Sequence, residues 1–129
     1  MIRKFKLEIA IIITCITVVT FYGFGARLIF NGVQHCATAA QTEYGGDAVG
    51  ALIALVGDES ASFEKRNSGI WALGQLGSDR ALPLLIQLDT NEKQEAPYDS
   101  TAYIVQYSVE KSIRQIRGFS TVRWMYRFL

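Results

Sequence analysis

The chain has 129 residues, half of them apolar, which is enough for one small domain and one extra segment but not for a second sizeable core. Its formal net charge of +1 conceals unlike regions: both ends are basic, whereas residues 47–95 hold eight acidic side chains against four basic ones. That acidic balance excludes a nucleic-acid-binding surface over the central part of the chain.

The N-terminal segment predicts a membrane-inserting helix. Residues 1–8 form a basic flank, and residues 9–30 form an apolar run interrupted only by Arg27. At a rise of about 1.5 Å per residue, this run can cross a hydrocarbon core of about 30 Å. Because Lys and Arg favour the cytoplasmic side of a membrane, the rest of the chain is expected outside the cytoplasm, in the periplasm if the source is bacterial.

A cleaved signal peptide is the alternative interpretation of this segment. Its apolar region is usually about 7–15 residues long and ends at a small-residue site, for which Gly25 and Ala39 are weak candidates. The run here is longer and the second site lies far beyond it, so an uncleaved anchor is favoured. Cys15 then lies within the membrane and Cys36 beyond it, so they form neither a disulfide framework nor a metal site.

Residues 31–46 are predicted to form a stalk or linker, which continues the helix until Tyr44-Gly45-Gly46 ends it. After this break, Asp47 has the character of a helix N-cap, and Gly57 marks the end of that helix. Ser62 is expected to cap the next one. Residues 47–118 are therefore predicted to be helical apart from short connections and a polar loop at residues 89–97, after which the last helix is expected to start near Asp99 or Ser100.

The centre of this region, residues 66–88, predicts two helices joined by a turn at Gly77-Ser78-Asp79. Each helix carries an apolar stripe at helical spacing. The first stripe is Gly69, Ala72, Leu73 and Leu76, and the second is Ala81, Leu84, Leu85 and Leu88. Because the turn is short, the two helices are expected to pack antiparallel with their stripes against each other.

The sequence of this stretch resembles the HEAT-like repeats of the phycobilin-lyase type. The matching residues are Arg66, Gly69, Ala72-Leu73-Gly74, Leu76-Gly77 and Ala81-Leu82-Pro83-Leu84-Leu85. The resemblance implies a helical scaffold that binds a partner. It also implies structural roles for Arg66, Gly69, Leu73, Gly77 and Pro83.

The resemblance further implies that Arg66 bonds an acid or a carbonyl of a neighbouring turn. Asp58 and Glu59 in the preceding loop, and Asp99 in the next repeat, are its candidate partners. The equivalent position of the last predicted helix is Gln106, which departs from the family pattern.

An internal repeat supports the same fold. Shifted by 33 residues, residues 48–55 align with residues 81–88, apolar on apolar at nearly every position; shifted by 40, residues 66–76 align with residues 106–116. Periods of this size indicate a helical repeat array. The sequence therefore predicts an all-α protein: a short α-solenoid of two HEAT-like helical hairpins, residues 47–118, behind an N-terminal transmembrane or stalk helix.

Two repeats leave apolar faces uncovered, because about three are normally needed for stability. The stalk can cover one end of the array. At the other end, the tail of residues 119–129 combines aromatic side chains with Arg123 and Arg127, so it either caps the last predicted helix or contacts an anionic membrane surface.

The partner-binding surface is predicted on the two inner helices. Trp71 lies almost opposite the buried stripe of its helix, and aromatic side chains on polar faces are enriched as binding anchors. The predicted partner-binding residues are Asn67, Trp71, Gln75, Tyr107, Lys111 and Gln115. The alternative is that Trp71 packs against the stalk or the tail.

No combination of residues in the sequence indicates catalysis. His35 and Cys36 are adjacent but lack further ligands or a catalytic partner, so no metal and no cofactor is expected. The function predicted is a non-enzymatic, membrane-anchored scaffold that binds another protein, a membrane protein being one candidate. The alternative function is an accessory or lyase-type protein related to bilin lyases.

Overall fold

The computed structural model describes residues 2–90, 100–118 and 123–126, with side chains described from residue 6 onward except at 123 and 124. These residues form five α-helices and two short 3-10 helices, and no strand occurs among them, which confirms the all-α prediction. The α-helices are α1 (Ile2–Tyr44), α2 (Ala48–Gly57), α3 (Phe63–Leu76), α4 (Leu82–Leu88) and α5 (Thr101–Arg117), and the 3-10 helices are Asp79–Ala81 and Arg123–Tyr126.

The chain divides into two compact units, and α1 contributes to both. The first unit, Met1–Asn31, is described only by its helix. Its apolar side chains are largely exposed, and the hydroxyls of Thr14, Thr17 and Thr20 donate to the carbonyl four residues earlier. These bonds satisfy the polar groups of the segment within the helix itself, as an apolar surrounding requires.

The second unit, Gly32–Leu129, contains the other helices. Their ends follow the sequence closely: Asp47, Ser62 and Ser100 are the N-caps of α2, α3 and α5, and each side chain accepts from a backbone N–H three residues on. Gly77 ends α3 with φ 64°, in the left-handed region that glycine favours. Gly57 lies inside α2, which ends one residue later than predicted.

Helix α3 is the centre of the second unit. It packs mainly against α2 and α5, and α4 packs mainly against α5. The sequence predicted that the α3 and α4 stripes bury each other, whereas the main hairpin partners are α2 with α3 and α4 with α5. The stretch from residue 66 to residue 88 thus joins the second helix of one hairpin to the first helix of the next.

Both flanks of the repeats contribute to this unit. Val33, Ala37 and Ala40 of α1 are buried, so the predicted stalk packs as part of the compact unit. In the tail, the 3-10 helix Arg123–Tyr126 contacts α3, and Tyr126 is buried. The sequence predicted that the tail either caps the last helix, α5, or contacts a membrane surface; residues 119–122 and 127–129 lie outside the described part of the chain.

Candidate binding groove

Arg66 ties α3 to the end of α2. Its Nε donates to the Val56 carbonyl oxygen at 3.0 Å, satisfying one of the carbonyls that a helix C-terminus leaves free. Gln106 occupies the equivalent position in the second hairpin, where it joins α5 to the residues just after α4. Its Nε2 donates to the Asp89 carboxylate, and its Oε1 accepts from the Thr90 N–H at 3.3 Å. A glutamine therefore replaces the family arginine with the role retained.

Of the acids proposed as partners of Arg66, Asp58 is engaged elsewhere, and Asp99 lies outside the described residues. The Asp58 carboxylate accepts from the Tyr44 hydroxyl at 2.7 Å and from the Ser60 hydroxyl at 2.6 Å. These bonds favour the charged form and lower the pKa of Asp58 to about 2. The Tyr44 pKa rises to about 12, chiefly because its hydroxyl proton is held by Asp58. This contact joins the end of α1 to the end of α2.

The other residues given structural roles lie at packing contacts or turns. A Cβ on Gly69 would come within 2.8 Å of Val56 Cγ2, so α2 and α3 touch at this glycine. Leu73 is fully buried, and Gly77 has the positive φ described above. Pro83 is exposed in the first turn of α4, where its missing N–H leaves no bond unmade.

The predicted partner-binding face of α3 is largely covered. Gln75 is only 6% exposed, which removes it from any surface that a partner could reach. The Trp71 ring lies against Gly32 of α1, with Cη2 3.1 Å from where a Cβ on that glycine would be. Asn67 is half-buried. At Trp71 the face is covered by α1, which is the alternative that the sequence left open for this residue.

The equivalent residues on α5 differ in exposure. Tyr107 is 51% exposed, and the exposed Lys111 ammonium lies 5.8 Å from the centre of its ring. Gln115 is half-buried, with its Oε1 against Gly74 of α3. Of the six residues predicted to bind a partner, Tyr107 and Lys111 are thus the two that are exposed.

A groove opens where the sequence predicted none, between the C-terminal part of α1 and the N-terminal half of α3. Its volume is about 310 Å³. The lining residues are His35, Cys36, Ala39, Ala40, Glu43, Leu55, Glu64, Lys65 and Ser68. Glu64, Ser68 and Trp71 lie on one side of α3 at helical spacing, so the groove is the open part of the face that Gly32 covers farther along.

The groove has an apolar floor and a charged rim. Ala39, Ala40 and Leu55 supply the floor, and Lys65 Nζ forms an ion pair at 3.2 Å with Glu43. The Lys65 and Glu43 side chains are 58% and 50% exposed, so the pair adds little to stability. Burial raises the pKa of the Cys36 thiol, so the wall of the groove carries a protonated sulfur at neutral pH.

Sequence reasoning missed the groove because it assigned residues 31–46 to a stalk. The signal was present: Cys36, Ala39, Ala40 and Glu43 recur at the spacing of one helical face, and small residues at that spacing mark a packed face. Within the described residues, no three side chains among His, Cys, Asp and Glu come together as ligands for a metal.

Residues 65–90 match the family model of the PBS lyase HEAT-like repeat. This segment, about a fifth of the chain, is therefore a HEAT-like repeat in sequence. No curated protein and no solved structure matches the chain significantly. The matched HEAT-like segment contains nearly all of α3, the turn at Gly77 and the whole of α4, and it ends at Thr90, which Gln106 holds.

Proposed function

We propose that this HEAT-like repeat protein is a non-enzymatic, membrane-anchored module that binds another protein in the groove between α1 and α3. The observation that carries the proposal is the groove itself. Successive helices of a repeat array are expected to close on each other, as α3 and α5 do at Gly74 and Ser112. An open apolar concavity with a few polar groups on its rim is the usual form of a binding site.

The anchor is supported by the N-terminal part of α1. This helix is long and apolar enough to cross a membrane: its most apolar window has a mean hydropathy of 2.1, and only 6% of that window is buried. Such low burial is unlike the core helix of a water-soluble domain. The basic flank favours the orientation in which the repeats lie outside the cytoplasm.

An uncleaved anchor also agrees with the packing of the second unit. Val33 and Ala37 are buried there, and Ala39 lines the groove. Cleavage after Ala39 would remove Val33 and Ala37 from the core of this unit and Ala39 from the groove. Cleavage after Gly25 would leave them in place, so the mature N-terminus distinguishes an anchored form from a released one.

The thiol in the groove argues for binding rather than covalent chemistry. A reactive cysteine needs its thiolate form, and burial shifts the Cys36 equilibrium toward the protonated thiol.

The proposal is tested by photo-crosslinking in membranes of the native cells. A benzophenone amino acid is placed at Ala39, which is exposed and lines the groove, and in parallel at Ala54, which is exposed on α2 and does not line it. We expect a discrete protein adduct from position 39, retained with the protein in membranes washed with alkali.

The position 54 variant is the matched control, because it has the same probe and exposure class on the same unit. Equal adducts from both positions would contradict a specific groove. Release of the full-length protein by alkali would contradict the anchor.

A further inference from the structure

We infer that the groove accepts a basic amphipathic segment of the partner, with a bulky apolar side chain on the floor and Lys or Arg side chains on the rim. This inference rests on the proposed function and specifies the chemistry of its occupant. The floor of Ala39, Ala40 and Leu55 is hydrophobic, and two of its three side chains are small alanines. Such a surface leaves room for the side chain of another molecule.

The charge around the groove selects the sign of that segment. The acidic and basic side chains that line the groove are Glu43, Glu64 and Lys65, two acids against one base. Glu43 and Asp47 are already paired with Lys65 and Arg80. Glu64, which lines the groove and is exposed, forms no ion pair within the described residues. An approaching cation therefore finds a free carboxylate at the rim, and charge complementarity of this kind governs specificity and association rate.

The dimensions of the groove fit a short peptide segment. Along α1 the groove extends from His35 to Glu43, which is about 12 Å at a rise of about 1.5 Å per residue, or roughly two helical turns. Its volume of about 310 Å³ lies at the lower end of the range for drug-sized ligands. An amphipathic helix that lays apolar side chains into a groove needs only such a short contact.

The direct test uses the full chain in nanodiscs of zwitterionic lipid, with empty discs subtracted. Two labelled peptides of roughly 15 residues share Leu at helical spacing. All their remaining positions are Lys in one peptide and Glu in the other. We expect the Lys peptide to bind saturably, at least about tenfold more tightly than the Glu peptide, and to weaken as salt is raised.

Three variants assign this binding to the groove. Ala39→Trp fills the floor and is expected to abolish it, and Ser68→Arg, on the α3 side, is expected to do the same by occupying the rim with a cation. Glu64→Gln is expected to weaken binding about two- to fivefold, as loss of one exposed charge contact does. Glu110→Gln, an exposed acid on α5 outside the groove, is the matched control and should bind like the parent.

Several results would overturn the inference. These are tighter binding of the Glu peptide, binding fully explained by empty discs, or unchanged binding by Ser68→Arg and by an Ala39→Trp protein that melts normally. A position 39 crosslink without Lys-peptide binding would leave the proposed function intact and remove only this inference. Absence of both would remove the groove from either role.

Discussion

Helix α3 is contacted on two sides, toward α5 and toward α1, and a glycine lies at each contact, but the packing differs. Toward α5 the contact is closed: a Cβ on Gly74 would lie 2.5 Å from Ser112 Oγ, and that hydroxyl donates to the Ile70 carbonyl at 2.9 Å. Toward α1 a glycine is again the point of contact, but Gly32 meets the large ring of Trp71. On this side the groove lies over the N-terminal half of α3.

The difference shows that a glycine allows close approach only if the opposing side chain is small. Gly74 opposite Ser112 brings two backbones together, whereas Gly32 opposite Trp71 accommodates a ring. The second arrangement covers part of a helix and leaves the remainder accessible. A repeat array can thus be closely packed on one side and open on the other without any change of fold.

The closed edge is most sensitive to an added methyl group, so Gly74→Ala has the largest expected effect. The new Cβ would overlap both the Oγ and the Cβ of Ser112, the latter at 2.8 Å, and a Cβ cannot move without its backbone. We expect a loss of about 3 kcal/mol in the free energy of unfolding, at the upper end for overpacking. Denaturant unfolding of the second unit, followed by circular dichroism in mild detergent, measures it.

Gly57→Ala is the matched control, since nothing lies within 4 Å of a Cβ at that helical position. It should leave stability unchanged or raise it by up to about 1 kcal/mol, because alanine is the better helix former. Adding Ser112→Gly to Gly74→Ala should restore part of the loss, as expected for residues in direct contact. A Gly74→Ala protein as stable as Gly57→Ala would show that the closed edge is loose.

At the open edge the packing residue is Trp71, and its replacement by alanine has the next largest expected effect on stability. The ring is half-buried against Gly32, so Trp71→Ala should lower the free energy of unfolding by about 1–2 kcal/mol, less than full burial of a large side chain provides. Thermal melting of the full chain in detergent measures the change.

Tyr107→Ala separates packing from mere aromatic content. Tyr107 is 51% exposed on α5, so its loss should change stability by no more than about 0.5 kcal/mol. If both variants melt at the same temperature as the parent, Trp71 is not a packing residue. That result would favour the binding role predicted for it from the sequence.

Much of the fold was accessible from the sequence because local signals determine it. Asp47, Ser62 and Ser100 could be assigned as caps, since a side-chain oxygen before an apolar run satisfies free backbone N–H groups wherever the helix later packs. The family pattern was similarly local: it lies within two helices and one turn.

The groove could not be predicted from the sequence, because it depends on which helix covers which face. On a helical wheel Trp71 lies almost opposite the apolar stripe and Gln75 lies beside it, and a wheel assigns Trp71 to solvent. Only the packed structure shows that α1 lies over Trp71 and that Gln75 is buried. The same packing places Cys36 in a groove wall, although its sequence neighbourhood indicates a stalk.

The smallest expected effect concerns the bond that fastens the end of α1, and with it one wall of the groove. The pKa of Asp58 is lowered from 3.8 to about 2, first by the Ser60 hydroxyl and then by the Tyr44 hydroxyl. Because the folded-state pKa is depressed, this contribution to stability is fully present above about pH 4 and is lost as the pH falls toward 2. Tyr44→Phe removes one of the two hydroxyls, so its unfolding midpoint should depend less on pH between 4 and 2 than that of the parent, and Ser60→Ala should show a larger reduction. Tyr107→Phe, which also loses a phenolic hydroxyl but does not touch Asp58, should keep the parental pH dependence; the same slope in all four proteins would mean that Asp58 does not hold α1 against α2.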